Sequence, residues 1–273
     1  MFYNPHSRFR NFLYFGLMTI TIVIAIAFSQ ITNLSPVTAQ QPEKVNLIVS
    51  AGAGLKPVLE KVKQAYNQRQ SKLNITYNYA SSGALARQIE QGAKIDVFIS
   101  ASAEHLTTLQ NKGFILEKSR RNLLKNSIAL IVPKDSTAIK SFQDLTKPTV
   151  KKIAVGEPRS VPVGKSAQEL FNYFRISEQV KPKLLYTRDG PQVLFYVENG
   201  TVDAGITHDS NAKQSNKVKI AVIPPENTYT PLIYPVAILK DSKNIAAANE
   251  FVNFLFSQPA RKLFEQFGYK MAD

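Results

Sequence analysis

The sequence has no cysteine and no tryptophan, and only three histidines among its 273 residues. Without cysteine there is no disulfide framework, no thiolate zinc site, no iron–sulfur cluster and no lipid-anchored N-terminal cysteine. Acidic residues are also in short supply: 20 Asp and Glu stand against 34 Lys and Arg, a formal charge of +14. No long basic run concentrates that charge, so dispersed lysines that keep the chain soluble account for most of it. There is no G-x-S-x-G elbow, and His208 has no nucleophile in its own loop, which argues against a hydrolase. What is present is apolar: a hydrophobic share of 44% excludes a disordered or fibrous chain. The length allows one large domain or two ordinary ones, each with its own core.

The first forty residues read as an address. His6, Arg8 and Arg10 form a basic flank without acids, Phe12 to Phe28 carry no charge and are apolar but for Thr19 and Thr21, and Val37 and Ala39 fit the small-residue rule for cleavage. This is the pattern of a secretory signal peptide over residues 1–39, cut after Ala39. An apolar run of about 17 residues is also at the lower edge of a membrane span, so an uncleaved anchor is the alternative. Either way the chain is exported, and nucleic acid is excluded as its proper partner. Beyond that segment only His105 and His208 remain, too few for a metal site built on imidazoles.

The exported part alternates short apolar runs with helical patterns. VNLIVS (45–50), LNITYNYA (73–80) and IDVFIS (95–100) read as strands. Each is followed by small residues and then by apolar spacing of helical period, as in Leu55, Val58, Leu59, Val62 and Tyr66. The pattern returns with SIALIVP (127–133), KIAVGEP (152–158), KLLYT (183–187), DAGITHD (203–209), VKIAVIP (218–224) and YPVAILK (234–240), and two helices follow over 244–269. Strand, small-residue turn and helix in repetition predict parallel α/β sheets in two lobes with a cleft between them.

Ligands of such sheets sit at the carboxyl ends of the strands, where helix N-termini favour anions. Four turns have the small residues that permit close approach: Ala53-Gly54-Leu55, Ser81-Ser82-Gly83, Val163-Gly164-Lys165 and Asp189-Gly190-Pro191. One such turn means little; four point to an anion site, with ordinary helix starts as the bland alternative. GKS at 164–166 is no phosphate loop, because that motif needs glycine where Arg159 stands. Its useful part is an exposed N–H cluster, with Lys165 solvated. His105 reads as a surface residue of a helix. His208, ending an apolar strand, is either a cleft residue or an incidental polar one.

ASSGALARQIEQGAKIDVFISAS (80–102), NSIALIVPK (126–134), IAVGEPRSVPVGKSA (153–167), GITHDSNA (205–212), YPVAIL (234–239) and FGY (267–269) together resemble the periplasmic molybdate-binding proteins of ABC transporters. The resemblance runs from about residue 45 nearly to the end. It implies a two-lobed class II periplasmic binding protein of α/β class. Residues 44–125 plus 234–273 would form lobe one and 126–233 lobe two, with a two-strand hinge near Lys125–Ser127 and Ile233–Pro235. It further implies a periplasmic, monomeric receptor without catalytic activity or cofactor. Its ligand would be molybdate or tungstate, bound as an oxyanion by neutral donors and delivered to an inner-membrane permease.

Carried over position by position, the family's binding residues fall on Gly54, Ser82, Val163, Gly190 and His208. Gly54 stands where the family has a serine hydroxyl, and His208 where it has a tyrosine. Ser50 or Ser81 could replace the missing hydroxyl, and His208 brings an N–H donor that titrates near neutrality. Those two departures keep a second expectation open, a receptor for sulfate, a phosphate-like ion or an organic acid. An exported hydrolase is the expectation from a different class.

Overall fold

The computed structural model describes residues 44–69 and 73–272. The expected signal peptide and its cleavage site lie outside the described residues. Strand β1 (Val45–Gly52) shows how the layers arise. Its alternate residues Leu47, Val49 and Ala51 join one apolar cluster, whereas Ile48 packs against another on the opposite face. A strand covered on both sides must be apolar on both, which is why it reads as a run and not as an alternation.

The first sheet has the order β11-β4-β10-β3-β1-β2. Within it β1 pairs in parallel with β2 (Leu73–Ala80) and β3 (Val97–Ile99). Helices α1 (Lys56–Arg69), α2 (Ser82–Glu90) and α3 (Ala103–Asn111) connect or follow these strands. Val58, Leu59 and Val62 of α1 share a cluster with Leu47 and Val49, while Leu85 and Ile89 of α2 share the other with Phe98. Gly92 closes α2 with φ +88°, a left-handed turn that side-chain-bearing residues resist.

The second sheet has the order β7-β6-β8-β5-β9. Strand β6 (Ile153–Gly156) lies parallel to β7 (Leu184–Thr187) and β8 (Ala204–His208), and β5 (Ile128–Pro133) is antiparallel to β8 and to β9 (Val218–Val222). Helices α4 (Pro162–Tyr173), α5 (Ser177–Val180), α6 (Gly190–Glu198) and α7 (Asp209–Ala212) belong to this half. After β9 the chain returns as β10 (Leu232–Ile238), then α8 (Ile245–Leu255), α9 (Gln258–Gln266) and the edge strand β11 (Lys270–Met271).

Both sheets are therefore mixed, and the expectation of purely parallel sheets is corrected. The cause is the double crossing. Strand β10 comes back from the other half and enters antiparallel between β3 and β4 (Arg121–Asn126), and β5 enters the second sheet antiparallel for the same reason. Ser127 alone separates β4 from β5, and residues 223–231 make the return. Ile233–Pro235 lie inside β10, where the pairing with β4 slips at Tyr234/Pro235. At the first crossing the Asn126 amide donates to Ser210 Oγ (2.8 Å) and to the Tyr234 hydroxyl (3.1 Å), and its oxygen accepts from the Ser127 N–H (2.9 Å). Among the described residues no helix is long and apolar enough to cross a membrane.

Candidate functional site

Four helix starts, two from each half, meet at one small space. After β1 a short 3-10 turn, Ala53–Leu55, runs into α1. Ser81 precedes α2, Val161 precedes α4 with Pro162 in its first turn, and Asp189 caps α6 by accepting from the Gln192 N–H at 2.8 Å. Gly52, Ala53, Gly54, Ala80, Ser81, Ser82, Val161, Pro162, Asp189, Gly190 and Pro191 from these starts, with Ala101, His208 and Tyr234, line a cavity of about 20 Å³. The first N–H groups of a helix have no partner within it and carry its positive dipole end. Four such ends on one small space make it electropositive without a cationic side chain.

The structure brings Gly54, Ser82, Gly190 and His208 to this wall. At the start of α4 the lining residues are Val161 and Pro162, and the side chain of Val163, expected only as a backbone donor, is buried in the core. Of the two serines considered as replacements at Gly54, Ser81 lines the cavity, whereas the Ser50 hydroxyl accepts from Asn78 Nδ2 at 3.2 Å. Gly164 is a packing glycine, not part of an exposed N–H cluster: a Cβ there would fall 2.1 Å from the Gly156 carbonyl oxygen.

The wall is neutral apart from Asp189, whose carboxylate is engaged at the helix cap. His208 is buried, and burial alone pushes its imidazole down to about 4. It is therefore neutral at physiological pH, which corrects the expectation of titration near neutrality. Its Nε2 has no hydrogen-bond partner in the protein, a costly state for a buried polar atom unless a guest supplies one. The Tyr234 ring meets the imidazole edge-on, with centroids 5.8 Å apart. Ser82 Oγ accepts from the Ala101 N–H at 2.8 Å, which occupies a lone pair and leaves its O–H proton to donate. The Tyr269 hydroxyl donates to the Gly54 carbonyl at 2.9 Å and so fixes the first turn.

The rim of the cleft is bridged twice. The Gly83 N–H donates to the Ser160 carbonyl at 3.1 Å, and Lys165 pairs with Glu104. Lys165 is thus a bridging residue and not simply solvated. His105 is half-buried, with its ring beside Gly83. Sequence reasoning missed Tyr234, which lines the cavity, and Tyr269, which holds its first turn. Both lie in stretches singled out above, but an isolated Tyr has no spacing that distinguishes it from core. Among the described residues no group of three or more His, Asp or Glu could hold a metal ion.

Residues 47–270 match a family model described as bacterial extracellular solute-binding protein. A Bacillus subtilis protein provisionally named as the ABC transporter substrate-binding lipoprotein YvgL is 39% identical over 228 residues, 83% of this chain and 87% of that protein. The molybdate-binding protein ModA of Haemophilus influenzae is 30% identical over 225 residues, 81% of this chain and 88% of that protein. Among solved structures, the substrate-binding domain of a provisionally assigned molybdenum ABC transporter from Clostridium difficile superposes with a TM-score of 0.68 at 39% identity. That superposition covers 84% of this chain and all of the other.

Proposed function

From the premise that the chain belongs to the family of bacterial extracellular solute-binding proteins, we propose that it captures a tetrahedral oxyanion, molybdate or tungstate, and delivers it to an ABC permease. Its place of work is outside the cytoplasmic membrane, after export by the N-terminal segment. It is a receptor and not an enzyme, as its family is. The relatives named for molybdate support the choice of ion, but the cavity carries the argument.

That cavity joins four helix starts, the Ser82 hydroxyl and an unpartnered buried imidazole nitrogen around a space of about 20 Å³. Pockets for drug-sized organic ligands span roughly 300–1,000 Å³, so a sugar phosphate or large organic acid does not suit it. A compact dianion does. Removing such an ion from water is expensive, and only a nearly complete shell of oriented N–H and O–H donors offsets that cost. Gly54, Ser82, Gly190, the first turn of α4 and His208 would supply that shell. A wall without a cationic side chain avoids a buried ion pair, whose partner would be left charged and unpaired once the ion departs.

A thermal-shift panel tests this reading. Molybdate and tungstate are expected to raise the melting temperature, since a ligand that binds only the folded state stabilises it, and sulfate and phosphate to do so less or not at all. A chain that responds to neither metal oxyanion is not this receptor.

A further inference from the structure

Asn211 lies behind the cavity wall, 3% exposed, and none of the roles described above uses it. Its carboxamide stands between two glycines of that wall that belong to opposite halves of the molecule. A Cβ built on Gly54 would come 3.0 Å from Asn211 Oδ1 and 3.3 Å from Nδ2; one built on Gly190 would come 3.1 Å from Nδ2. The same amide donates to Thr207 Oγ1 at 3.3 Å, and that hydroxyl donates to the Gly190 carbonyl, also at 3.3 Å. Thr207 is fully buried, so no water competes for these bonds. On the far side Gly54 is held by the Tyr269 hydroxyl on its carbonyl. Each glycine is thus pinned within its own half, and the Asn211 amide fills the gap between the two.

We infer that Asn211 is the positioning residue of the cavity: its carboxamide sets how closely Gly54 and Gly190 approach when the cleft shuts on its anion. This rests on the cavity being the oxyanion site. Two features make the amide suited to the task. It is planar and short, so it fits where each glycine has given up its Cβ, and the bond to Thr207 fixes its orientation. It is also neutral, so it spaces two donor segments without placing a charge behind them. A glycine at either position alone would be an ordinary turn residue. Two glycines, each closed off by the same side chain, are a matched set.

The test is a double-mutant cycle on the full exported chain, with molybdate as the probe. Affinity is read by calorimetry, and the dissociation rate by stopped-flow tyrosine fluorescence. Asn211→Ala is expected to speed dissociation while the unliganded melting temperature stays close to that of the parent. Gly54→Ala alone should weaken binding, because its methyl meets the amide. In the Asn211→Ala background the same Gly54→Ala change should cost nothing further, a coupling of at least about threefold. If Asn211→Ala does not fold, Asn211→Ser takes its place in the cycle, with the same expectation. Strictly additive effects in a parent that binds molybdate would overturn the inference and leave the receptor reading intact. A parent that binds neither molybdate nor tungstate would overturn both.

Discussion

The Gly83 N–H donates to the Ser160 carbonyl at 3.1 Å, a main-chain bond between the half built on β1 and the half built on β6. The approach depends on the missing side chain, since a Cβ on Gly83 would lie 2.8 Å from both Ser160 Cα and its carbonyl oxygen. Backbone cannot swing aside as the end of a long side chain can. The two halves therefore meet at this position through a hydrogen bond that leaves no room for a side chain.

Gly83→Ala is accordingly expected to weaken anion binding by about 1–3 kcal/mol, the usual cost of forcing a methyl group into a packed contact. Each half also has an apolar cluster to itself, around Leu85 and Phe98 in one and around Val193 and Val197 in the other, so the unliganded melting temperature should change little. Calorimetry with molybdate checks the first statement and a thermal melt the second. Unchanged affinity would show that the halves close without this contact.

Ser82→Ala should act on stability and binding together. The hydroxyl accepts from the buried Ala101 N–H, and losing that acceptor costs about 1–3 kcal/mol of folding stability. The cavity also loses its O–H donor, so affinity should fall even at temperatures where the variant is fully folded. A variant that melts early but binds as tightly as the parent would confine Ser82 to a structural role.

How much of this could be read from the sequence depended on whether the information was local. The strand–turn–helix units were legible because small residues before an apolar helical face are a local pattern, and so were Gly54, Ser82 and Gly190. The mixed character of the sheets was not, because the direction in which β10 and β5 pair is decided by where the chain crosses, which no periodicity records. Strand β4 was missed because only Leu123 and Leu124 of its six residues are buried. That Val161 and Pro162 line the cavity while the Val163 side chain packs into the core was not legible, because it depends on where α4 begins. The depressed His208 could not be foreseen, since its cause is burial by segments distant in sequence.

The pair between Lys165 and Glu104 bridges the rim, with both side chains at least half exposed. Such pairs contribute little, typically about 0–1 kcal/mol, and salt screens them. Lys165→Gln should therefore reduce affinity only slightly at low ionic strength and not at all at high salt. Titrations at two salt concentrations check this. A large loss that persisted in high salt would mean that Lys165 reaches the anion itself.

His208 bears on the acid sensitivity of the fold and on the pH dependence of binding, and the two have different signatures. Its folded value is about 4, against about 6.5 for an unperturbed imidazole. Between those values the unfolded chain binds a proton that the folded chain refuses, so stability is lost as pH falls from about 6.5 towards 4. The loss reaches about 3 kcal/mol at most. His208→Gln should remove that part of the slope in denaturant titrations, leaving a smaller one from His105, which burial lowers in the same direction. Binding is expected to behave otherwise. From pH 6 to 8 the ring is neutral before the anion arrives, and if it donates as a neutral N–H, affinity is flat across that range. A fall of about tenfold per pH unit would instead mean that the ring takes up a proton when the dianion enters. His208→Ala should cost about 1–3 kcal/mol of affinity at any pH in that range, because the guest's oxygen loses a buried donor. The flat profile and the constant loss together identify a neutral imidazole as one of the donors, and either one failing assigns His208 a different part.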